Sequence, residues 1–210
     1  MKKGKLISFE GIEGVGKTTT IKSIKLFLEE KGIQVYCTRE PGGTKYGESL
    51  RSVLLNNKSI ISPEAELLLM FSIRNQHIEE IIKPKLSDGI WVLCDRFIDA
   101  SIAYQGYGKK VSIKKIKLLI NNFTENIIPD ITIFFDLPYG LAKKRFPKNK
   151  KKDRFENLNS MFFDNVYKGY LKQANENKKR IKIINANCDK KEVKNQIILE
   201  LNKAFKEIKL

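Results

Sequence analysis

Residues 11–18 read Gly11-Ile12-Glu13-Gly14-Val15-Gly16-Lys17-Thr18, which matches the pattern G-x-x-x-x-G-K-[ST]. Three glycines let the backbone curl until successive N–H groups point inward and form a nest for phosphate oxygens. A helix starting directly after the loop adds its positive end. In such a loop Lys17 reaches the β- and γ-phosphates of a nucleoside triphosphate, and the Thr18 hydroxyl ligates Mg2+. A second pair, Asp95-Arg96, follows the apolar run Ile90–Cys94. At the end of a buried strand Asp95 can hold Mg2+ and its waters, with Arg96 between a donor and an acceptor phosphate; on an exposed loop the same two residues would be only an ion pair. A third segment, Thr38-Arg39-Glu40-Pro41-Gly42-Gly43-Thr44, contains a Glu40-Pro41 bond that is either cis, shaping a pocket wall, or part of an ordinary turn. The chemistry implied is that of ATP phosphates, with the reaction still open.

Alternating strands and helices must position these residues. Strands are expected at Lys5–Glu10, Ile33–Cys37, Ile90–Cys94, Ile131–Asp136 and Ile181–Ile184, and helices at 17–31, 44–57, 63–86, 99–105, 112–124, 138–145, 156–177 and 189–208. Ser62-Pro63 provides an N-cap and a first helical residue. Runs such as Ile90–Cys94 are apolar throughout, as strands covered on both faces must be. The expected fold is therefore α/β: a doubly wound parallel sheet of about five strands with helices on both faces. Such sheets bind ligands beyond the carboxyl ends of their strands, where all three segments lie.

The 210 residues suit a single domain, which can bury about 70% of its unfolded surface without disulfides or a structural metal. Its apolar stretches are far too short to span a bilayer, and the run behind the charged start ends at Glu10, so no signal peptide is expected. Cys37, Cys94 and Cys188 lack C-x-x-C spacing and read as reduced thiols of a cytoplasmic protein. The formal charge of +16 invites a nucleic-acid reading, but 33 of the 40 basic residues are Lys and only seven are Arg. Together with 27 Ile and 16 Asn, this points to a compositional bias with Lys spread over solvated faces. Against that background an Arg signals a need for the guanidinium fork.

The motifs GIEGVGKTT, TREPGGT, ELLLMFSIRNQH, LCDRFIDASIAYQGYG, PDITIFFDLP and DRFE, in this order over residues 4–186, resemble those of the bacterial thymidylate kinases. The resemblance implies a P-loop nucleoside monophosphate kinase fold with a short basic lid at about 147–154. It also implies transfer of the γ-phosphoryl group of ATP to dTMP, Mg2+ as cofactor, and a homodimer. Carried over by position, Glu13 matches the acid that binds the deoxyribose 3′-hydroxyl, and Arg74 the arginine that hydrogen-bonds the thymine carbonyl. Ser101 and Gln105 match the positions that read the thymine edge. Tyr104 matches the tyrosine packed where a ribose 2′-hydroxyl would sit. Glu40, Arg51 and Arg96 match the groups around the acceptor phosphate.

Three departures stand out. The aromatic ring that usually stacks on thymine, four residues before the arginine, is replaced by Met70; either its thioether packs on the base or Phe71 approaches. The lid, usually arginine-rich, has Pro147 and Asn149 at alternate positions and Lys150–Lys152 behind them, which leaves Arg145 and Arg154 as the catalytic pair beside Lys17 and Arg96. Ile184-Asn185-Ala186 replaces an I-D-A sequence near the adenine. His77, the sole histidine, reads as a surface or packing residue, because the attacking phosphate oxygen is already ionised. Two other readings are a P-loop kinase with another nucleotide acceptor, and a basic P-loop nucleic-acid-binding protein. The second is disfavoured because no aromatic-interleaved basic motif accompanies Lys109-Lys110.

Overall fold

Five short strands pair into one parallel sheet in a computed structural model that describes residues 3–146 and 153–206. The strands are β1 (Leu6–Glu10), β2 (Val35–Arg39), β3 (Trp91–Asp95), β4 (Ile131–Asp136) and β5 (Ile181–Asn185). They lie in the order β2-β3-β1-β4-β5, with Phe9 beside Asp95 on one flank of β1 and beside Ile133 on the other. The chain therefore reverses its direction of winding at β1, and the loops after β1 and β3 open side by side at that switch point.

Side chains alternate across the sheet. Ile7, Phe9, Leu93, Ile131 and Ile133 join a core with Ile21, Ile24 and Leu28 of α1 (Lys17–Glu30) and Val193, Ile197 and Leu201 of α9 (Lys190–Ala204). Leu6, Val92 and Cys94 face the other way, into a core with Leu67 and Phe71 of α3 (Pro63–His77) and Ile116 and Ile120 of α6 (Ile113–Phe123). The remaining helices are α2 (Lys45–Leu55), α4 (Lys83–Ser87), α5 (Ile98–Ser101), α7 (Tyr139–Lys143) and α8 (Ser160–Glu176).

Most elements fall within a residue or two of their expected places; the helix expected at 189–208 ends at Ala204, and four others differ for identifiable reasons. β2 starts at Val35 rather than Ile33, because Gly32 ends α1 with a positive φ of 76° and Ile33 N–H turns back to the Leu28 carbonyl, a helix-terminating bond. The helix expected at 63–86 is interrupted by a π-helical turn at Ile78–Ile82, and a second such turn, Ile102–Gly108, takes over the segment expected as 99–105. The helix expected at 156–177 starts only at Ser160, because the Asp153 carboxylate accepts from the Phe155 and Glu156 N–H groups and folds that stretch into a turn. The three cysteines are free thiols. Pro147, Asn149 and Lys150–Lys152 lie outside the described residues.

A polar cluster ties this frame together. Asp99 is buried and takes two bonds of 2.7 Å from the Arg180 guanidinium, while Thr132 Oγ1 lies 2.7 Å from Ser8 Oγ and accepts from Arg180 as well. Arg180, which lies in none of the family motifs, thus joins the start of β5 to α5. Removing one partner of a buried pair strands the other charge. Arg180→Ala is expected to lower unfolding stability by about 3 kcal/mol in a urea titration; an unchanged midpoint would contradict this role.

Candidate active site

The loop between β1 and α1 curls as its glycines allow. Gly14 and Gly16 have φ of 80° and 96°, a region that disfavours other residues, and a Cβ at position 14 would collide with the Phe146 ring. Ile12 and Val15 point into the core, so this loop offers a ligand its backbone rather than those two side chains. Lys17 is buried and donates to the Gly11 and Ile12 carbonyls at 3.0 Å each. Burial, and then the neighbouring Arg96 charge, pull its pKa down to about 8.

Arg96 follows β3 with a φ of 73°, a left-handed conformation that costs a non-glycine residue about 1–2 kcal/mol. Flanking bonds hold it there: Arg96 N–H to the Phe9 carbonyl, Phe97 N–H to Glu10 Oε1, and Cys94 Sγ to the Arg96 carbonyl. The turn aims the guanidinium at Glu13 (2.9 Å) and at the Tyr170 hydroxyl (3.2 Å), with its carbon 4.7 Å from the Tyr104 ring centre. Tyr104 donates its hydroxyl to Glu13, and Tyr170 donates to Glu10 Oε2 at 2.8 Å. Burial and the Asp99 charge raise the Glu10 pKa to about 8.

Two clefts meet at this cluster. One is lined by Gly14, Gly16, Lys17, Thr18, Thr19, Arg145 and Phe146. The other is lined by Glu40, Pro41, Leu55, Met70, Ala100, Tyr104, Gln105 and Phe155, so it is apolar along one wall with polar groups at its ends. Glu13, Arg51, Asp95, Arg96 and Asp153 line both. Arg51 also donates to the Pro41 carbonyl at 2.6 Å, next to a Glu40-Pro41 bond that is cis. Asp95 Oδ1 is buried and has no hydrogen-bond partner among the described residues. A cleft-lining carboxylate with a spare lone pair beside Thr18 fits a hard divalent cation held with phosphates and water.

Several expected site residues sit behind the clefts rather than on their walls. Met70 lines the second cleft; Phe71 instead packs in the core, its ring centre 4.8 Å from the Arg74 guanidinium carbon. Arg74 is wholly buried and spends donors on Glu40 (2.7 Å), Ser101 Oγ (3.0 Å) and the Phe97 carbonyl (3.0 Å). Neither Arg74 nor Ser101 is among the residues lining that cleft. Arg154 departs most from expectation. It lines neither cleft; its side chain donates to the Leu54 carbonyl at 2.7 Å and pairs with Glu66, because a buried carboxylate captures the nearest guanidinium. His77 is buried rather than at the surface, with ring nitrogens 2.7 Å from Thr38 Oγ1 and 3.1 Å from Glu40 Oε1.

Glu10, Glu66, Asp153, Phe155 and Tyr170 were not singled out from the sequence. Glu10 alone carried a local signal, a carboxylate ending an apolar strand beside the phosphate loop.

A parallel five-stranded sheet, a phosphate loop at its switch point and a second cleft sharing one charged wall define a P-loop kinase. The family model described as thymidylate kinase matches residues 9–197. The thymidylate kinase of Nitrosomonas europaea is 41% identical over 94% of this chain and 92% of its own length. That of Psychrobacter sp. (strain PRwf-1) is 44% identical, covering 94% and 96%. A crystal structure of thymidylate kinase from Ehrlichia chaffeensis superimposes with a TM-score of 0.77 at 32% identity, covering 95% of this chain and 99% of that one. The chain belongs to the thymidylate kinase family.

With a pKa of about 8, Lys17 is mostly charged at pH 7 and mostly neutral at pH 9. ATP affinity of the free protein is expected to fall as pH rises through 8, at the limit by about tenfold per unit. Calorimetric titration at pH 7, 8 and 9 checks this; Lys17→Met should flatten the profile, and a flat profile in the unsubstituted protein would contradict it.

Proposed function

We propose that the protein transfers the γ-phosphoryl group of ATP to dTMP, giving ADP and dTDP, and so supplies the precursor of dTTP. The observation that carries this reading is the shared wall: the phosphate cleft and the half-apolar second cleft have Glu13, Arg51, Asp95, Arg96 and Asp153 in common. A triphosphate in one and a nucleotide in the other would therefore meet phosphate to phosphate.

In this reading the backbone of residues 11–18 and Lys17 hold the ATP phosphates, and the acceptor lies with its base between Met70 and Phe155 and its sugar near Glu13 and Tyr104. Tyr104 packed beneath that sugar favours a deoxyribose. Arg74 and Glu40 act as a pair: Arg74 holds Glu40 from behind, and Glu40 faces the acceptor. Asp95 and Thr18 would hold Mg2+, which when bound neutralises phosphate charge. An acceptor phosphate oxygen attacks the γ-phosphorus while the bond to the β–γ bridging oxygen breaks. The attacking oxygen is already ionised, so no general base is needed, and the leaving bridging oxygen takes the electron pair onto ADP. Arg96, Arg51, Lys17 and Arg145 are described cations on these clefts that reduce the repulsion between the two nucleotides. The homodimer rests on the family resemblance and the cytoplasmic setting on the three free cysteines; no helix among the described residues is long and apolar enough to cross a membrane.

The test is coupled ADP release with ATP–Mg2+ and, in turn, dTMP, dUMP, ribosyl-TMP, dCMP, dGMP and dAMP. Turnover led by dTMP, with dUMP at most a weak second, is expected. Equal turnover across the panel, or none, would overturn the assignment.

A further inference from the structure

Glu66 lies in α3, wholly buried, outside both clefts, and the phosphoryl-transfer chemistry does not call on it. A carboxylate there is costly unless every lone pair is used. Its Oε1 accepts from Gln105 Nε2 at 3.0 Å, and its Oε2 accepts from Lys109 Nζ at 2.7 Å and from the Arg154 guanidinium. Gln105 lines the acceptor cleft, is 1% exposed, and leaves its Oε1 buried without a hydrogen-bond partner among the described residues.

A carboxylate only accepts hydrogen bonds, so the Gln105 atom facing Glu66 must be the amide nitrogen. The amide cannot rotate by half a turn without setting its oxygen against a carboxylate oxygen. We infer that Glu66 is a positioning residue for acceptor choice: it locks the Gln105 amide with its oxygen as the free group, so that the cleft accepts a hydrogen bond from a base with a ring N–H. This rests on the thymidylate kinase reading above. Thymine carries a hydrogen on N3, whereas N3 of cytosine is itself an acceptor. A site built around one polarity leaves its own buried group unpaired when it meets the other. Lys109 and Arg154 serve the lock by fixing the second oxygen of Glu66.

The isosteric variant Glu66→Gln inverts the lock. Lys109 and Arg154, both donors, keep the new amide's oxygen, so its nitrogen turns toward Gln105. Gln105 must then give its oxygen to that nitrogen and present its own nitrogen to the cleft. The ratio of kcat/KM for dTMP to that for dCMP is expected to fall about tenfold or more, with KM for ATP unchanged. The double variant Glu66→Gln/Gln105→Glu restores an acceptor in the cleft and should recover most of the ratio. Because it is measured within one preparation, the ratio does not depend on the active fraction, so a loss of stability alone would not move it. An unchanged ratio in Glu66→Gln, or no recovery in the double variant, would overturn the inference while leaving dTMP kinase activity standing. Lack of any dTMP preference in the unsubstituted enzyme would overturn both.

Discussion

The repulsion between two phosphate-bearing ligands is the constraint on which the rest of this structure depends, and Arg96 stands where it must be relieved. Its guanidinium is fixed over Tyr104 and against Glu13 by a left-handed backbone turn that the frame enforces through Phe9, Glu10 and Cys94. The turn exists because β1 and β3 are neighbours, and they are neighbours because the winding reverses at β1. Sheet topology, strand-end strain and the position of one positive charge are thus a single arrangement. Glu10 and Tyr170 complete it from behind, since a cation this buried needs its hydrogen bonds satisfied on every side.

A second layer of polar residues shapes the acceptor cleft without lining it. Arg74, Ser101 and His77 all converge, directly or through one another, on Glu40, the member that faces the cleft. Glu66 stands in the same relation to Gln105. Two groups that line the cleft, Glu40 and Gln105, are each held by buried partners that remove their rotational freedom, as discrimination between similar acceptors requires. The scarcity of arginine sharpens this pattern. Arg51 and Arg96 line both clefts, Arg74 and Arg180 bind buried carboxylates, and lysine occupies most exposed positions where only solvation is asked of it.

Local chemistry made much of this legible beforehand. The phosphate loop announces itself through glycine spacing, the parallel sheet through the alternation of strand and helix patterns, and Asp95-Arg96 through its place after the apolar run Ile90–Cys94. The contrast between Met70 and Phe71 was open in the sequence because adjacent helical residues point about 100° apart and the α3 stripe is apolar on most sides; packing turns Met70 to the cleft and Phe71 into the core. Arg154 shows no sign of its pairing in the sequence, for a related reason. Its partner Glu66 is 88 residues away, and no local pattern shows a buried carboxylate waiting for it. The π-helical turns escaped similarly, since each continues an α-helical segment and the change to i→i+5 bonding leaves no local signature in the sequence.

The central claim is that the two clefts meet so that phosphoryl transfer is direct, with no residue of the protein carrying the group in between. The stereochemical course at phosphorus tests it most directly. With ATP made chiral at the γ-phosphorus by oxygen isotopes and sulfur, a single in-line displacement predicts that the dTDP product carries inverted configuration. Retention would mean two displacements through a phosphorylated protein group, and would contradict the account.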